Sequence, residues 1–366
     1  MKIVEAETVL VSLPFESGGG LAPWGWGGKP ANTFDVLMVR LETEDGLAGW
    51  GEAFSRMSDT ALKRVIDTRV LPLVLGRDAR GIARIKHDIE FNLHNFGRSG
   101  GIMYGVSAVD IALWDLAGKR AGRPLAELLG GATTDHVDVY ASLVRYGSED
   151  GVSAAVRRAV GQGYRWIKLH DVAVPVIRAA CKAAAGSATV MLDVNCPWSV
   201  EEALRIDAEI ADLGLYWFEE PVWPPENYGG LAAVRATGRH RIAAGENAGS
   251  LFDFVAMHRA GAIDIAQPDV AKTGGVTELV KISRFCEANG LAFSPHCAIF
   301  GPGQIATIHL TAAEARPPLL ERLYLDFEAE LFGDAAVVKK GRLNVPAGPG
   351  LGVDPDPAVI ARYRVA

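Results

Sequence analysis

Short apolar runs that recur at a nearly constant interval are the feature that most constrains the fold of this chain. From about residue 136 onward, each run is followed by a helical stretch and two short loops, with a repeat of about 25 residues. The eight runs cover residues 137–141, 166–169, 189–192, 216–218, 241–244, 263–266, 291–294 and 319–320. Alternating strands and helices of this period predict a parallel sheet, and eight such units predict that the sheet closes into a barrel.

The first third of the chain has a different pattern, which is typical of a mixed α+β unit. Two runs rich in apolar residues, 34–42 and 47–52, flank the turn sequence Glu44-Asp45-Gly46, and this arrangement predicts a hairpin. Apolar residues at helical spacing predict a helix over 105–118. The glycine-rich stretch 18–28 cannot hold a helix or a central strand and predicts a loop.

Composition and charge exclude several classes of protein. With 49% hydrophobic and 22% charged residues, the chain has the composition of a soluble globular protein. The net charge is −7, and no block of Lys and Arg forms a phosphate-binding stripe, so nucleic acid is not an expected partner. No run approaches the roughly 20 apolar residues that cross a membrane, and the N-terminus lacks a secretory signal pattern. These features predict a cytoplasmic protein without membrane contact, whose four scattered cysteines stay reduced.

Seven polar residues occupy nearly the same place in successive repeats. They are Lys168, Asp193, Glu219, Glu246, Asp269, His296 and Glu321, and neighbouring members are 23 to 27 residues apart. Each follows or ends an apolar run. We therefore expect all seven side chains to point into the C-terminal mouth of the barrel, where barrels of this kind hold their active sites.

Three of these residues, Asp193, Glu219 and Glu246, are carboxylates on adjacent predicted strands. Three carboxylates crowded at one mouth repel one another unless they protonate or bind a cation. A hard divalent ion with oxygen ligands fits such a set, and Mg²⁺ is the usual ion at an open site. The sequence predicts a Mg²⁺ site here.

Two further pairs point to proton transfer. Asp269 and His296 lie one strand apart, and an Asp beside a His fixes the tautomer of the ring and raises its basicity, which suits a general base. Lys168 and His170 alternate along one strand, so both face the same side. The Lys is predicted to neutralise a substrate carboxylate and the His to exchange protons.

Six other histidines do not occupy the recurring position in the repeat and are predicted to be structural: His87, His94, His136, His240, His258 and His309.

The chain closely resembles the mandelate racemase subgroup of the enolase superfamily along nearly its whole length. The motifs that carry the resemblance are Asp110-Ile111-Ala112-Leu113-Trp114-Asp115-Leu116-Ala117-Gly118-Lys119, Leu128-Leu129-Gly130-Gly131, Phe218-Glu219-Glu220-Pro221, Gly245-Glu246-Asn247 and Lys272-Thr273-Gly274-Gly275. The resemblance implies an α/β fold, a modified TIM barrel of the (β/α)7β type under an α+β capping domain formed by the N-terminal region and the C-terminal tail. We assign residues 1–128 to the cap, 129–324 to the barrel and 325–366 to the returning segment.

The resemblance also implies roles for the phased residues. Asp193, Glu219 and Glu246 would bind Mg²⁺, while Asp269 and His296 would form the catalytic dyad. Glu321 would hydrogen-bond the substrate carboxylate. The muconate-cycloisomerase subgroup usually has a Lys where this chain has Asp269, and is therefore disfavoured.

One position departs from the family pattern. Mandelate racemase has Lys-x-Lys on the second barrel strand, and its second Lys is an acid/base; here that position is His170. Substrate contacts are expected from Asn195, from Trp24 and Trp26 in the glycine-rich loop, and from Phe54 in the cap.

These features predict an enzyme that abstracts the proton α to a substrate carboxylate through an enediolate intermediate. The preferred reaction is dehydration of a sugar acid, an aldonate or aldarate, to a 2-keto-3-deoxy acid, which would make the protein a Mg²⁺-dependent hydro-lyase. One alternative is a racemase or epimerase of a 2-hydroxy or amino acid. An alternative of another class is a catalytically silent barrel that acts as a binding protein. The expected partner is a small-molecule carboxylate, and the resemblance suggests a homo-oligomer.

Overall fold

An antiparallel sheet near the N-terminus forms the centre of the capping domain. In the computed structural model, which describes residues 1–18, 32–56 and 58–365, its long strands are β1 Ile3–Glu16, β2 Thr33–Thr43 and β3 Ala48–Ala53. The predicted hairpin is confirmed, because β2 and β3 pair antiparallel around a turn in which Gly46 has a φ of 80°. Trp24 and Trp26 lie outside the described residues.

Strand β2 is apolar on both faces because the sheet lies between two layers. Val36 and Met38 pack into the core that the cap shares with the barrel, whereas Leu37 and Val39 pack against the helices of the cap. A strand buried on both sides reads as a continuous apolar run.

The helices of the cap cover the outer face of this sheet. They are α1 Asp59–Val65, which continues through a π-helical turn Ile66–Val70 and a 3-10 turn Leu71–Leu73, then α2 Ile82–Leu93, α3 Gly101–Ala121 and α4 Leu125–Leu128. The predicted helix over 105–118 is confirmed as the middle of α3, which ends at Gly122 in the left-handed conformation. Gly51 lets α3 approach closely, since a Cβ there would come within 1.8 Å of the Ala108 carbonyl oxygen.

The barrel has the predicted alternation of strands and helices. Its strands are β4 His136–Ser142, β5 Trp166–Leu169, β6 Thr189–Asp193, β7 Phe218–Glu219, β8 Ile242–Ala244, β9 Ile265–Ala266, β10 Ala292–Phe293 and β11 Leu320–Leu323. The helices between them are α5 Glu149–Gly161, α6 Val174–Ala184, α7 Val200–Glu209, α8 Tyr228–Arg235, α9 Leu251–Arg259, α10 Gly275–Asn289 and α11 Pro302–Ala313. The strands are parallel, in the order β10-β9-β8-β7-β6-β5-β4-β11. Eight strands and seven connecting helices make the (β/α)7β fold.

The C-terminal tail returns to the cap by way of the barrel. Strand β12 Asp326–Phe327 pairs with β1, and helix α12 Pro357–Tyr363 also lies near β1, where the Val365 N–H donates to the Leu10 carbonyl oxygen at 2.9 Å. A further strand, β13 Arg342–Asn344, forms within the tail.

Strand β13 pairs antiparallel with β4 of the barrel, which differs from the expectation that the tail folds back on the cap alone. The reason is the length of β4. Its neighbours β5 and β11 pair only with residues 139–142, so residues 136–138 have backbone groups left to pair. Strand β13 occupies that edge.

None of the helices in the described part of the chain is long and apolar enough to cross a membrane.

Candidate active site

The seven phased residues meet at the C-terminal mouth of the barrel, as their spacing predicts. Asp193 and Glu219 are the last residues of β6 and β7, and Lys168 and Glu321 lie within β5 and β11. The other three follow their strands within three residues: Glu246, Asp269 and His296. All seven side chains are buried.

Lys168 lies at the centre of this cluster. Its Nζ is 3.0 Å from Asp193 Oδ2, 3.0 Å from Glu219 Oε1 and 2.9 Å from Glu321 Oε1. Burial alone would lower the pKa of Lys168, but the surrounding carboxylates, Glu219 and Glu321 above all, raise the pKa well above its usual value. The residue is therefore a fixed positive charge at the bottom of the mouth.

Asp193, Glu219 and Glu246 form the predicted acidic set. Each offers a carboxylate oxygen, and these oxygens lie within 4.8 Å of one another. The Trp217 Nε1–H donates to Glu219 Oε2 at 2.8 Å, which orients that carboxylate. Burial, together with the neighbouring Asp193, raises the pKa of Glu219 well above its usual value, although Lys168 acts in the opposite direction.

This set of ligands fits Mg²⁺. The three oxygen donors are hard ligands, they converge on one small volume, and their mutual repulsion is relieved by a divalent cation. Three carboxylates also leave coordination positions for water or substrate, as a catalytic Mg²⁺ site requires.

The Asp269–His296 pair is held rigidly. His296 Nδ1 is 2.6 Å from Asp269 Oδ2, and the other oxygen, Asp269 Oδ1, accepts the Ala271 N–H at 2.7 Å. The two residues also form a parallel β-bridge just beyond β9 and β10. In this arrangement the Nδ1–H donates to Asp269, and Nε2 is directed into the mouth, where it is 2.9 Å from Glu246 Oε2.

The electrostatic field at His296 favours its protonated form. Burial alone would lower the pKa of the ring, but Glu321, Glu246 and Asp269 together raise the pKa well above its usual value. Glu321 is itself fixed by two donors, Ser142 Oγ at 2.7 Å and the Cys297 N–H at 2.9 Å.

His170 lies on another wall of the same mouth. Its Nε2 is 3.2 Å from Asp193 Oδ2, and its Nδ1 contacts the Leu143 carbonyl oxygen. Along the hydrogen-bonded sheet, strand β5, which carries His170 just beyond its end, is separated from β10 and His296 by β6, β7, β8 and β9. The two histidines therefore approach the cavity from different sides.

A cavity opens between the barrel mouth and the cap. Its lining residues are Phe54, Arg56, Val144, Arg145, His170, Asn195, Glu246, His296, Ala298, Glu321 and Leu323. Two predicted substrate contacts, Phe54 and Asn195, are among them; the ring centre of Phe54 is 6.4 Å from that of His296. Asn195 has a left-handed φ of 53°, and its N–H donates to Asp193 Oδ1 at 3.0 Å.

Sequence reasoning missed three charged groups at this site. Lys272 lies in the Lys-x-Gly-Gly motif, with Nζ 3.8 Å from Glu246 Oε1 and 4.5 Å from the centre of the Phe54 ring. Arg145 comes 23 residues before Lys168, so extending the phased set back by one repeat would have found it. Arg56 lies two residues after Phe54, and only the packing of the cap on the barrel reveals its position.

Comparison with known proteins agrees with this architecture. Residues 22–130 match the N-terminal domain of the mandelate racemase/muconate lactonizing enzyme family, and residues 151–359 match the family described as enolase C-terminal domain-like. The chain is 33% identical to a 3,6-anhydro-alpha-L-galactonate cycloisomerase of Streptomyces coelicolor, over 91% of this chain and 92% of the relative. It is 29% identical to an arabinonate dehydratase of Saccharolobus solfataricus, over 92% of each.

A solved structure adds a metal to the comparison. The crystal structure of a racemase from Streptomyces coelicolor A3(2) with bound magnesium is 30% identical to this chain, with a TM-score of 0.88. The match covers 99% of this chain and all of that one.

Proposed function

The chain belongs to the mandelate racemase/muconate lactonizing enzyme family of the enolase superfamily, and from that premise we propose that it eliminates the C3 oxygen of a sugar acid. The reaction removes the proton from the carbon next to the carboxylate and expels the oxygen on the following carbon. Dehydration of an aldonate or aldarate to a 2-keto-3-deoxy acid is the form that we favour. The relatives include both sugar-acid dehydratases and cycloisomerases.

One observation carries this proposal: His296 presents Nε2 to the cavity, 2.9 Å from Glu246 of the acidic set, and the buried cation Lys168 belongs to the same cluster. A proton next to a carboxylate is very weakly acidic, so a base alone removes it slowly. Lys168 supplies a fixed positive charge at the bottom of the mouth, and Glu321 lies between Lys168 and His296, 2.9 Å from the former and 3.6 Å from the latter. A base beside a site that stabilises negative charge is what α-proton removal requires.

The acidic set is proposed to hold Mg²⁺ through Asp193, Glu219 and Glu246. When bound, the ion would supply positive charge that stabilises the substrate carboxylate as negative charge develops on it. Lys168 adds a second, permanent positive charge beside two of these ligands, Asp193 and Glu219.

His296 suits both proton transfers of the elimination. Bound Mg²⁺ would offset the charge of Glu246 that favours the protonated ring. As a neutral base, His296 takes the α-proton at Nε2 while Asp269 stabilises the charge that forms on the ring. As an acid, it returns that proton to the departing C3 oxygen, so that the C–H and C–O bonds break, water leaves and a C2–C3 double bond forms. The resulting enol becomes the 2-keto acid as C3 takes up a proton and the C2 hydroxyl gives one up.

Cycloisomerisation is a second candidate that shares these steps. In a 3,6-anhydro acid the C3 oxygen is part of a ring, so the same bond cleavage opens the ring and releases no water. The cycloisomerase at 33% identity supports this candidate. Racemisation is a third, because His170 approaches the cavity from another side and could deliver a proton to the second face.

The test is a panel of aldonic, aldaric and anhydro-sugar acids incubated with the protein and Mg²⁺, assayed for 2-keto product. Dehydration consumes a linear acid and gives a keto acid lighter by one water, and cycloisomerisation gives a keto acid of unchanged mass. Exchange of the α-proton in D₂O without keto product would favour racemisation instead. A protein that binds acids but neither exchanges nor converts them would refute the catalytic proposal.

The metal is tested separately by thermal melting with Mg²⁺ and with chelator. A ligand that binds only the folded state stabilises it by about 2.7 kcal/mol at 100 times its Kd. We expect Mg²⁺ to raise the melting temperature of the wild type, and Asp193→Asn and Glu246→Gln to weaken that response. Chelator-resistant activity and an unchanged melting temperature would exclude the metal site.

A further inference from the structure

We propose that Glu52 of the cap is a positioning residue for the Asp269–His296 pair, so that strand β3 of the cap sets the geometry of proton transfer. Glu52 lies on β3 and is only 1% exposed, so it acts through its neighbours rather than by touching substrate. The inference rests on the proposed function, because it assigns the element that holds the proposed base.

Glu52 contacts the start of helix α11 across the boundary between cap and barrel. Its Oε2 accepts the Gly301 N–H at 3.0 Å and the Gly303 N–H at 2.9 Å. The two glycines leave room for the carboxyl group, since a Cβ at Gly301 would lie 2.7 Å from Glu52 Cδ and one at Gly303 would lie 2.9 Å from Oε2. Gly301 comes five residues after His296 and directly precedes α11. Glu52 therefore fixes the far end of the segment that begins at His296.

The same piece of the cap also holds the segment that follows Asp269. The Phe54 N–H, just beyond the end of β3, donates to the Ala271 carbonyl oxygen at 3.3 Å. The Ala271 N–H in turn donates to Asp269 Oδ1 at 2.7 Å. Glu52 and Phe54 are two residues apart, so one short stretch of the cap contacts both segments that carry the pair.

The polar nature of the Glu52 contact is what suits it to this role. Apolar packing between cap and barrel is non-directional, so it tolerates small sliding movements. Hydrogen bonds weaken steeply when their angle falls, so two N–H donors on one oxygen fix both distance and direction. A buried carboxyl group is unfavourable unless it is hydrogen-bonded, so these two donors are not easily given up. The contact therefore supplies an orientation that hydrophobic packing would not.

Glutamine is the closest replacement for this carboxyl group. Burial raises the pKa of Glu52 to about 8, and the charge of Asp269 acts in the same direction, whereas the N–H groups of Gly303 and Gly301 oppose them. The group is therefore mainly neutral at pH 7. A glutamine amide has the same shape and also offers an oxygen to the two donors, whereas alanine offers none.

Steady-state kinetics on the best substrate, with Mg²⁺ and well below the melting temperature, test the proposal. Glu52→Ala should lower kcat about 10- to 100-fold, because displacing a catalytic group by about 1 Å has an effect of that order. KM should stay within about 3-fold, since the loss concerns proton transfer rather than binding, and Glu52→Gln should keep kcat within about 3-fold of the wild type. A lower melting temperature with unchanged kcat in Glu52→Ala would show a purely structural role and overturn the proposal.

Gly303→Ala tests the same contact from the barrel side. The new methyl group would lie 2.9 Å from Glu52 Oε2 and 2.7 Å from Ile299 Cδ1, the end of a flexible side chain. Alanine is the better helix former, so a loss of activity would not come from the helix itself. We expect kcat to fall about 10-fold with KM unchanged. Wild-type kcat in Gly303→Ala would overturn the proposal, including the case in which Glu52→Ala fails to fold.

The double variant shows whether the two residues act together. Adding Gly303→Ala to Glu52→Ala should lower kcat by less than about 2-fold further, because the carboxyl group that the methyl group meets is gone. Full additivity would overturn the coupling. Glu5→Ala, at an exposed glutamate on β1 of the same sheet, is the matched control and should change neither kcat nor KM.

Proton NMR separates this inference from the reaction itself. The short hydrogen bond from His296 Nδ1–H to Asp269, 2.6 Å between heavy atoms, should give a far-downfield resonance that His296→Asn removes. Glu52→Ala should shift or broaden this resonance, and Glu52→Gln should preserve it. If that pattern holds while no acid of the panel is converted, the positioning role stands and the proposed function fails. An unchanged resonance in Glu52→Ala would overturn the positioning role and leave the proposed function intact.

Discussion

Two regions of the barrel interior, only two residues apart along the strands, differ completely in chemistry. At the floor, a packed cluster fills the barrel; it consists of Tyr140, Met191, Trp217, Ala243 and Ile265. At the mouth, the next inward-facing positions are polar. On β6, Met191 lies at the floor and Asp193, two residues later, lies at the mouth. Trp217 and Glu219 have the same relation at β7. Residues i and i+2 of a strand face the same side, so one strand serves both regions.

The difference shows where the fold gains stability and where it gives stability up. Fully burying a large apolar side chain contributes about 1.5–3 kcal/mol. Burying a charge is unfavourable unless it is paired, and the mouth pairs its charges incompletely around Lys168. A cation or a substrate completes that pairing. The region that is weakest as a core is therefore the region best suited to bind a ligand.

The sharpest test of this comparison is removal of the proposed base. His296→Asn should lower kcat by about 10³-fold or more, which corresponds to about 4 kcal/mol in the activation barrier. The melting temperature and the response to Mg²⁺ should change little, because His296 belongs to the mouth. Steady-state kinetics on the best substrate and thermal melting measure both effects.

Asp269→Asn provides the matched variant. It should also impair turnover severely, because the imidazole would lose the partner that fixes its tautomer. Wild-type activity in either variant would remove the pair from the mechanism. A large fall in melting temperature would instead show that the mouth contributes to stability as the floor does.

The opposite result is expected at the floor. Met191→Ala should destabilise the protein by about 2–5 kcal/mol, since it leaves a cavity in the fully buried cluster. Met191→Leu keeps the volume and should cost less than about 1.5 kcal/mol. Denaturant unfolding measures both. In both variants kcat should stay within a few-fold of the wild type, and a selective loss of activity in Met191→Ala would show that floor packing positions Asp193.

The sequence predicted the mouth better than its surroundings, for a physical reason. Lys168, Asp193 and His296 could be found because strand spacing alone sets their phase, and spacing is a local property. Arg56 could not be placed, since its position depends on how the cap lies over the barrel. The C-terminal tail was expected on the cap; the pairing of its strand β13 with β4 depends on how far the neighbouring strands extend, which the hydrophobic pattern does not show.

His309, a buried histidine outside the mouth, allows a pH-dependent contribution to stability to be tested. His309, in α11, is buried between the cap and the tail; its Nδ1 accepts the Ala126 N–H at 3.3 Å and its Nε2–H donates to the Leu351 carbonyl oxygen at 3.1 Å. Burial lowers the pKa of His309 from 6.5 to about 4. The unfolded chain therefore binds a proton at a higher pH than the folded chain does.

The sign of the effect follows from that difference. The contribution of neutral His309 is fully present above pH 6.5 and is lost as pH falls toward 4, by up to about 3 kcal/mol. Denaturant unfolding between pH 7 and pH 4 should show a shallower decline for His309→Gln than for the wild type. His94→Gln, at an exposed position, is the control and should follow the wild type. Identical slopes for His309→Gln and wild type would rule out this linkage.

The smallest expected effect separates the two histidines of the mouth. His170 flanks Asp193, whereas His296 is oriented by Asp269, so we assign the base to His296 and a supporting role to His170. His170→Ala should then slow turnover about 10-fold, or about 1.4 kcal/mol, and in D₂O it should still exchange the α-proton or form keto acid. His296→Asn should do neither. Mass spectrometry of recovered substrate and product measures both. If His170→Ala abolishes exchange while His296→Asn retains it, the base is His170, and the two walls of the mouth exchange roles.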